Sequence, residues 1–277
     1  MRIGLLHPGE MGTAVASALG AVGHTVLWAS EGRSAATVER ASAAGLEDCG
    51  SVRELAGRCE VILSICPPAA AVDVARRVPS FAGIYVDANA TSPATSRAIE
   101  SQVDRYVDGS IIGPPPTKRD TTRLYLSGTD ADTIAEVFAA TIVEPVVASR
   151  RVGSASAVKV VFSAWTKGTA ALALAIRSLA RAEGVEELLL SEWANSQREL
   201  PELCESAARS AQRYGWRWKV EMEEIADTFA TAGLPDGFHR AAAEIYQRSP
   251  REPAGGDALE RVLSALEQKP PTSDVAR

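Results

Sequence analysis

Histidine is scarce. There are three along 277 residues, too few and too scattered for a metal site built by the protein. Cysteine is scarce as well. Cys49, Cys59, Cys66 and Cys204 follow neither a metal-ligand nor a disulfide spacing. They are expected to be reduced thiols of a cytoplasmic protein. Basic charge is outweighed, with 29 Lys and Arg against 35 Asp and Glu and a net charge of −6. That balance argues against nucleic acid or an anionic membrane as the partner. The opening Met1-Arg2-Ile3-Gly4-Leu5-Leu6 is too short an apolar run for a signal-peptide core. The most apolar later stretch, Ala155 to Leu179, contains Lys159 and Lys167. It reads as a buried helix of a soluble protein, not as a membrane span.

Apolar residues make up 46% and charged residues 23%, ordinary for a globular protein, and the length suits two domains. The first half alternates short apolar runs with helical patterns. Strands are expected at Arg2–Leu6, Thr25–Ala29, Val61–Ile65, Ile84–Asp87, Arg105–Val107, Arg123–Leu126 and Thr141–Val147. Helices are expected at Glu10–Val22, Ala35–Ala43, Val52–Arg58, Ala69–Val78, Pro93–Val103 and Ala131–Ala139. Such alternation implies βαβ units and a doubly wound, mostly parallel α/β sheet of the Rossmann type over residues 1–152. From residue 153 to 277 strand signals stop, and an all-α domain is expected. Its helices are Ser154–Glu183, Val185–Asn195, Pro201–Tyr214, Trp216–Ala232, Gly237–Gln247 and Asp257–Leu266, with a Pro/Gly stretch after Ser249-Pro250. Gly233-Leu234-Pro235 is a break between helices. Residues 269–277 are expected to lack order. No internal repeat is visible.

The first strand runs into His7-Pro8-Gly9-Glu10-Met11-Gly12 and then a helix. A dinucleotide fingerprint belongs there, because a tight turn must bring backbone N–H groups to a diphosphate at a helix N-terminus. Gly9 and Gly12 fit its second and third glycines, and His7 stands at the first. After the second strand comes Ser30-Glu31-Gly32-Arg33-Ser34. Ser30 occupies the place of the acid that would hold a ribose 2′-hydroxyl. Arg33, flanked by two hydroxyls, suits a 2′-phosphate, so the cofactor reads as NADP(H). The alternative is that Glu31 takes the acid's role and Arg33 is solvated. Asn89 follows a strand end facing the same crevice. It reads as a cofactor ligand or as a turn residue.

Lys159 lies among Val158, Val160, Val161 and Phe162. A lone ammonium there must be paired, snorkelling or poised in a cleft. Partial desolvation favours its neutral form, which suits proton transfer near neutrality. Ser163, four residues on, shares its helical face, and Lys167 lies two turns on. The competing reading is a structural lysine paired with a carboxylate. Ser110 reads equally as a substrate ligand or a loop hydroxyl. Glu221 is expected more as a solvated helix residue than as a partner of Lys159 or Lys167. His239 is expected at a surface or interface, and Trp165, Trp193, Trp216 and Trp218 in a core or dimer interface.

The motifs resemble those of 3-hydroxyacid dehydrogenases related to 6-phosphogluconate dehydrogenase. Met11-Gly12 with Gly23-His24 is similar to that family's opening, and Cys66-Pro67-Pro68 to its loop after the fourth strand. Asp87-Ala-Asn89-Ala-Thr-Ser92-Pro93 is similar to D-x-S-T-x-S-P, Asp108-Gly-Ser110-Ile-Ile112-Gly113 to D-A-P-V-S-G-G, and Gly153 to Lys159 to the segment with the catalytic lysine. Ser30 to Ser34, Thr166-Lys-Gly168 and Gly233-Leu-Pro-Asp236 resemble a branch with its own C-terminal helical domain. The resemblance implies an NADP(H)-dependent oxidoreductase with Lys159 catalytic, and Ser163, expected to be catalytic beside it, stands where the family has an asparagine. Cys66, Pro67 and Asn89 join the turn residues on the cofactor, and Ser110, Ile112, Gly113, Lys167 and Glu221 face substrate. The family's carboxylate-binding serine is Ile112 here, its next glycine is Pro114, and its later Lys-Asp pair is Val220-Glu221. These departures point away from a plain short 3-hydroxy acid. An imine reductase and a non-catalytic NADP(H) sensor are the alternatives. The apolar helix after Gly153 points to a homodimer through the C-terminal helices, acting on a small-molecule substrate.

Overall fold

The computed structural model describes residues 1–78, 80–251 and 257–268. The expectations for residues 269–277, and for most of the Pro/Gly stretch after Pro250, fall outside them. The chain divides into two compact units, Met1–Val161 and a second beginning at Phe162.

The first unit is built on eight strands: β1 Arg2–Leu6, β2 Thr25–Trp28, β3 Glu47–Asp48, β4 Val61–Ser64, β5 Ile84–Asp87, β6 Tyr106–Ile112, β7 Arg123–Ser127 and β8 Glu144–Ser149. Their spatial order is β3-β2-β1-β4-β5-β6-β7-β8. The first six are parallel, β7 runs antiparallel to β6, and β8 parallel to β7. Order 3-2-1-4-5-6 is that of a dinucleotide-binding doubly wound sheet. β4, β5 and β6 are buried along their whole length, as central parallel strands covered on both faces must be. Ile3, Leu5, Val26, Leu63 and Val86 pack on one face with helices α1 (Glu10–Gly20) and α6 (Ala131–Phe138). Leu27, Ile62 and Tyr85 point to the other. There they meet α3 (Val52–Arg58), α4 (Ala71–Arg77) and α5 (Pro93–Glu100). Ser34, Ser51 and Ser92 cap α2 (Ala35–Ala43), α3 and α5 by accepting from the backbone N–H three residues on.

Two expectations about strands change. β3 has two residues, too few to show a period, and was absent from the sequence reading. β6 extends through Asp108-Gly-Ser110-Ile-Ile112, so Ser110 and Ile112 are buried strand residues and not loop residues.

Helix α7, Ser154–Ala182, contains the division between the units. The second unit continues with α8 Glu186–Ser196, α9 Leu200–Thr231, α10 Gly237–Arg248 and α11 Ala258–Glu267. The two helices expected on either side of Gly215 are one helix, α9. Gly215 does not break it, because its place is set by packing: a Cβ there would sit 3.2 Å from the Tyr246 carbonyl of α10. The break at Gly233 is present. The Leu234 N–H reaches back to the Phe229 carbonyl and the Gly233 N–H to that of Ala230, which closes the end of α9. Among the described residues no helix is long and apolar enough to cross a membrane.

Candidate functional site

Ligands of such sheets bind outside the carboxyl ends of the strands, where the strand order reverses. Here that point is β1/β4. Leaving β1, the chain turns at His7 with φ +65°, a conformation that side-chain-bearing residues rarely adopt. His7 thus takes the backbone role of the missing first glycine. The Gly9 N–H donates to the His7 carbonyl at 2.7 Å, and α1 begins at Glu10. A Cβ at Gly12 would come within 3.1 Å of that carbonyl, a tight contact, so glycine here lets α1 start close to the strand without a shift. No side chain caps α1, and an uncapped helix N-terminus favours an anion.

A cleft of about 600 Å³ opens beside this turn, its walls including His7, Glu31, Arg33, Arg53 and Arg77. Ser30 to Arg33 form a tight turn closed by the Arg33 N–H on the Ser30 carbonyl, with Gly32 at φ +70°. Both hydroxyls beside Arg33 have protein partners. Ser34 caps α2, and Ser30 hydrogen-bonds Asp48 of β3. Burial would raise the Asp48 carboxyl, but the Gly50 N–H and Ser30 outweigh it and hold it below its ordinary value. Burial, then Arg33 and Arg77, lower the His7 imidazole to about 4, so it is neutral near pH 7. The three arginines carry the positive charge of the cleft. Arg53 and Arg77 escaped the sequence reading because only the sheet order brings α3 and α4 beside β1 and β2. An uncapped helix start with a cationic cleft at its side fits the diphosphate and adenosine end of a dinucleotide.

The ends of β4 and β5 are tied together. Asn89 is buried and its side-chain oxygen accepts from the Cys66 N–H at 2.5 Å, while its amide nitrogen donates to Ser64 Oγ at 3.2 Å. Burial pushes the Cys66 thiol up to about 12, so it is no nucleophile near neutrality. Pro67 is exposed beside it.

On β5 and β6, Asp87 and Asp108 are paired in register, each 1% exposed. Burial raises the Asp87 carboxyl to about 7, the Asn89 N–H opposes this, and Asp108 raises it further. One Asp87 oxygen accepts from the Asn89 N–H. Three residues beyond Asp108, the Ile111 carbonyl accepts a hydrogen bond from Lys159 Nζ at 2.9 Å. The ammonium group is thereby held at the carboxyl end of β6. The Ser110 hydroxyl is fully buried in the same strand, and Gly113 is exposed where the strand ends.

Ser163, Lys167 and Glu221 belong to the second unit. Glu221 is buried, not solvated as expected, and forms an ion pair with Lys167, with Arg217 4.0 Å away. Lys167 Nζ also lies 5.3 Å from the centre of the Trp218 ring. His239 is buried as well, against the surface expectation, with its ring 4.4 Å from that of Phe229. Trp193 is in the core, whereas Trp165 is 73% exposed.

Residues 180–249 match a domain of unknown function, DUF1932. Over 201 residues the chain is 31% identical to an uncharacterized 28.5 kDa protein of Methanothermus fervidus, from the 7S RNA 5′ region, covering 70% of this chain and 78% of the relative. It is 30% identical to a conserved protein of unknown function whose structure is described as similar to 3-hydroxyacid dehydrogenases. That match has a TM-score of 0.69 and covers 89% of this chain and 99% of the other. The chain belongs to the 3-hydroxyacid dehydrogenase-like family. Two less similar proteins share its fold. The Mycobacterium tuberculosis 3-hydroxyisobutyrate dehydrogenase, solved with L-serine, is 17% identical with a TM-score of 0.71 over 96% of this chain and 99% of the other. The Aspergillus terreus reductive aminase, solved with NADPH and ethyl levulinate, is 19% identical with a TM-score of 0.57 over 96% and 98%.

The raised Asp87 carboxyl has a consequence for this dehydrogenase-like fold. An acid whose pKa is higher folded than unfolded favours the native state below its unfolded value, near 3.8, and loses that advantage as pH rises through about 7. The loss is about 1.4 kcal/mol per pH unit across that window. Asp87→Asn cannot ionise and keeps an acceptor for the Asn89 N–H. Its melting temperature is expected to exceed that of the parent at pH 8 and to approach it near pH 4. A gap that does not change with pH would show that Asp87 titrates normally.

Proposed function

We propose that this chain is an NADP(H)-dependent oxidoreductase moving hydride between nicotinamide and a small hydroxy or carbonyl compound, with Lys159 as general acid and base. One observation carries the reading. Lys159 Nζ is held at the carboxyl end of β6, on the same edge of the sheet as the glycine turn after β1 and the joined ends of β4 and β5. Bound NADP(H) would supply the hydride. In reduction Lys159 gives a proton to the developing alkoxide, and in oxidation it takes the hydroxyl proton, a contribution on the order of 10²–10⁴ in rate. His7, Gly9 and Gly12 shape the diphosphate turn, and Arg33 with Arg53 and Arg77 faces the 2′-phosphate. The neutral His7 adds no charge to that cleft.

Preference for NADPH follows from the three arginines. Fluorescence titration should give a Kd for NADPH at least about tenfold below that for NADH, a gap of one charge-assisted contact. Arg33→Ala should narrow it. Equal affinities would mean that Glu31 holds the ribose.

Lys159→Ala should still bind NADPH while turnover falls about 10²-fold or more. The assay is NADPH consumption over a panel of aldehydes, keto acids and cyclic imines, with carbonyl compounds expected to be reduced. Lys167→Ala is the control. It leaves buried Glu221 with only Arg217, 4.0 Å away, and should lower stability by about 3 kcal/mol at most while sparing more turnover. Turnover lost only in Lys167→Ala would overturn the assignment. Consumption with cyclic imines alone would favour an imine reductase, and NADPH binding without turnover a sensor.

The second unit points to a homodimer. Along α7 the large apolar residues Phe162, Trp165, Leu172, Ile176 and Leu179 are exposed, and steps of three, four and seven place them on one seam. A second copy of this helix, itself carrying the seam, covers it. Sedimentation should give a dimer at micromolar concentration and a monomer for Trp165→Glu. A monomeric parent protein would reject the pairing.

A further inference from the structure

The first turn of α7 meets β6 through one carboxylate. Asp108 Oδ2 accepts from Ser127 Oγ at 2.7 Å, from the Gly153 N–H at 3.0 Å and from the Ser156 N–H at 3.0 Å, while Oδ1 accepts from Ser156 Oγ at 2.5 Å. Ser127 Oγ in turn accepts from the Ala155 N–H at 3.1 Å. A helix start leaves its first N–H groups without partners inside the helix. Here a neighbouring strand supplies the partners through the Asp108 carboxyl group. All these groups are buried, so nothing competes with them from solvent.

A second link joins the same strand and helix. Three residues after Asp108, the Ile111 carbonyl receives Lys159 Nζ; three residues after Ser156 stands Lys159. The anchor at Asp108 fixes where the helix begins, and Lys159, one turn further into the helix, reaches the end of β6 from there.

We propose that Asp108 is the positioning residue for Lys159: by holding the first turn of α7 against β6 and β7, it sets the place of the ammonium group at the carboxyl edge of the sheet. The proposal rests on Lys159 as the proton-transfer group for its meaning, but its test does not pass through turnover. Asp108→Asn replaces a carboxyl group by an amide. Its one oxygen can take the Gly153 and Ser156 N–H donors, while its NH2 can only donate to Ser156 Oγ. The first turn thus loses the two-oxygen acceptor and its grip weakens.

The experiment is competitive acetylation of the whole protein with acetic anhydride between pH 6 and 10, each lysine followed by peptide mass spectrometry. Lys118, exposed and distant in sequence from α7, is the internal reference. In Asp108→Asn the rate at Lys159 relative to Lys118 should rise about fivefold or more, the scale of one lost hydrogen bond, and its pH profile should move. Amides 153–159 should exchange hydrogen faster in the same protein. Ser156→Ala removes only the hydroxyl contact and should change Lys159 in the same direction by about twofold; it decides the matter if Asp108→Asn does not fold. A folded Asp108→Asn whose Lys159 labels like the parent overturns the positioning, as does an unchanged Ser156→Ala. Turnover surviving in Lys159→Ala would sink the proposed chemistry and leave the positioning standing.

Discussion

Six parallel strands, the central ones covered on both faces, leave the chain few choices. Each crossover must return over a face of the sheet in the same hand, so every strand of the set delivers its carboxyl end to one edge. That constraint puts His7, Ser30, Cys66, Asn89 and Ile112 in neighbouring positions although more than a hundred residues separate the first from the last. The apolar layers on the two faces hold the strands in register. The turn residues and Lys159 gather at the edge where the layers end.

Two kinds of electrostatic arrangement share that edge. Around the glycine turn the charge is positive and partly solvated, with arginines from the β2 turn, α3 and α4 and a histidine kept neutral among them. Around β5 and β6 two carboxyl groups are buried side by side. One carboxyl, Asp87, is driven toward its neutral form, while its neighbour Asp108 is surrounded by donors from β7 and α7. Four donors converge on Asp108, and it is this carboxyl group that holds the helix.

Much of this was legible in the sequence. Ile3-Gly-Leu-Leu and Val61-Ile-Leu-Ser are apolar runs bounded by turn residues, and they are strands. Ser34, Ser51 and Ser92 precede helical patterns, and each is a cap. The Gly9/Gly12 spacing marked the turn, and Lys159 stood out because an apolar helix rejects charge. All of these are local: periodicity, a cap or a turn needs only a few neighbouring residues. Gly215 misled the reading because a glycine in a helix looks like a break, whereas it accommodates a carbonyl from a helix far along the chain.

What tertiary structure alone decided are the partners of the polar groups. Nothing local tells that His7 stands in a glycine's conformation between arginines of separate elements, that Glu221 is buried against Lys167, or that Asp108 receives donors from residues 127, 153 and 156. The physical reason is one of range. Backbone geometry and hydrophobic period act over a few residues and are written in sequence order. Hydrogen bonds and ion pairs in a buried site join groups that only the assembled sheet and packed helices bring within about 3 Å of each other.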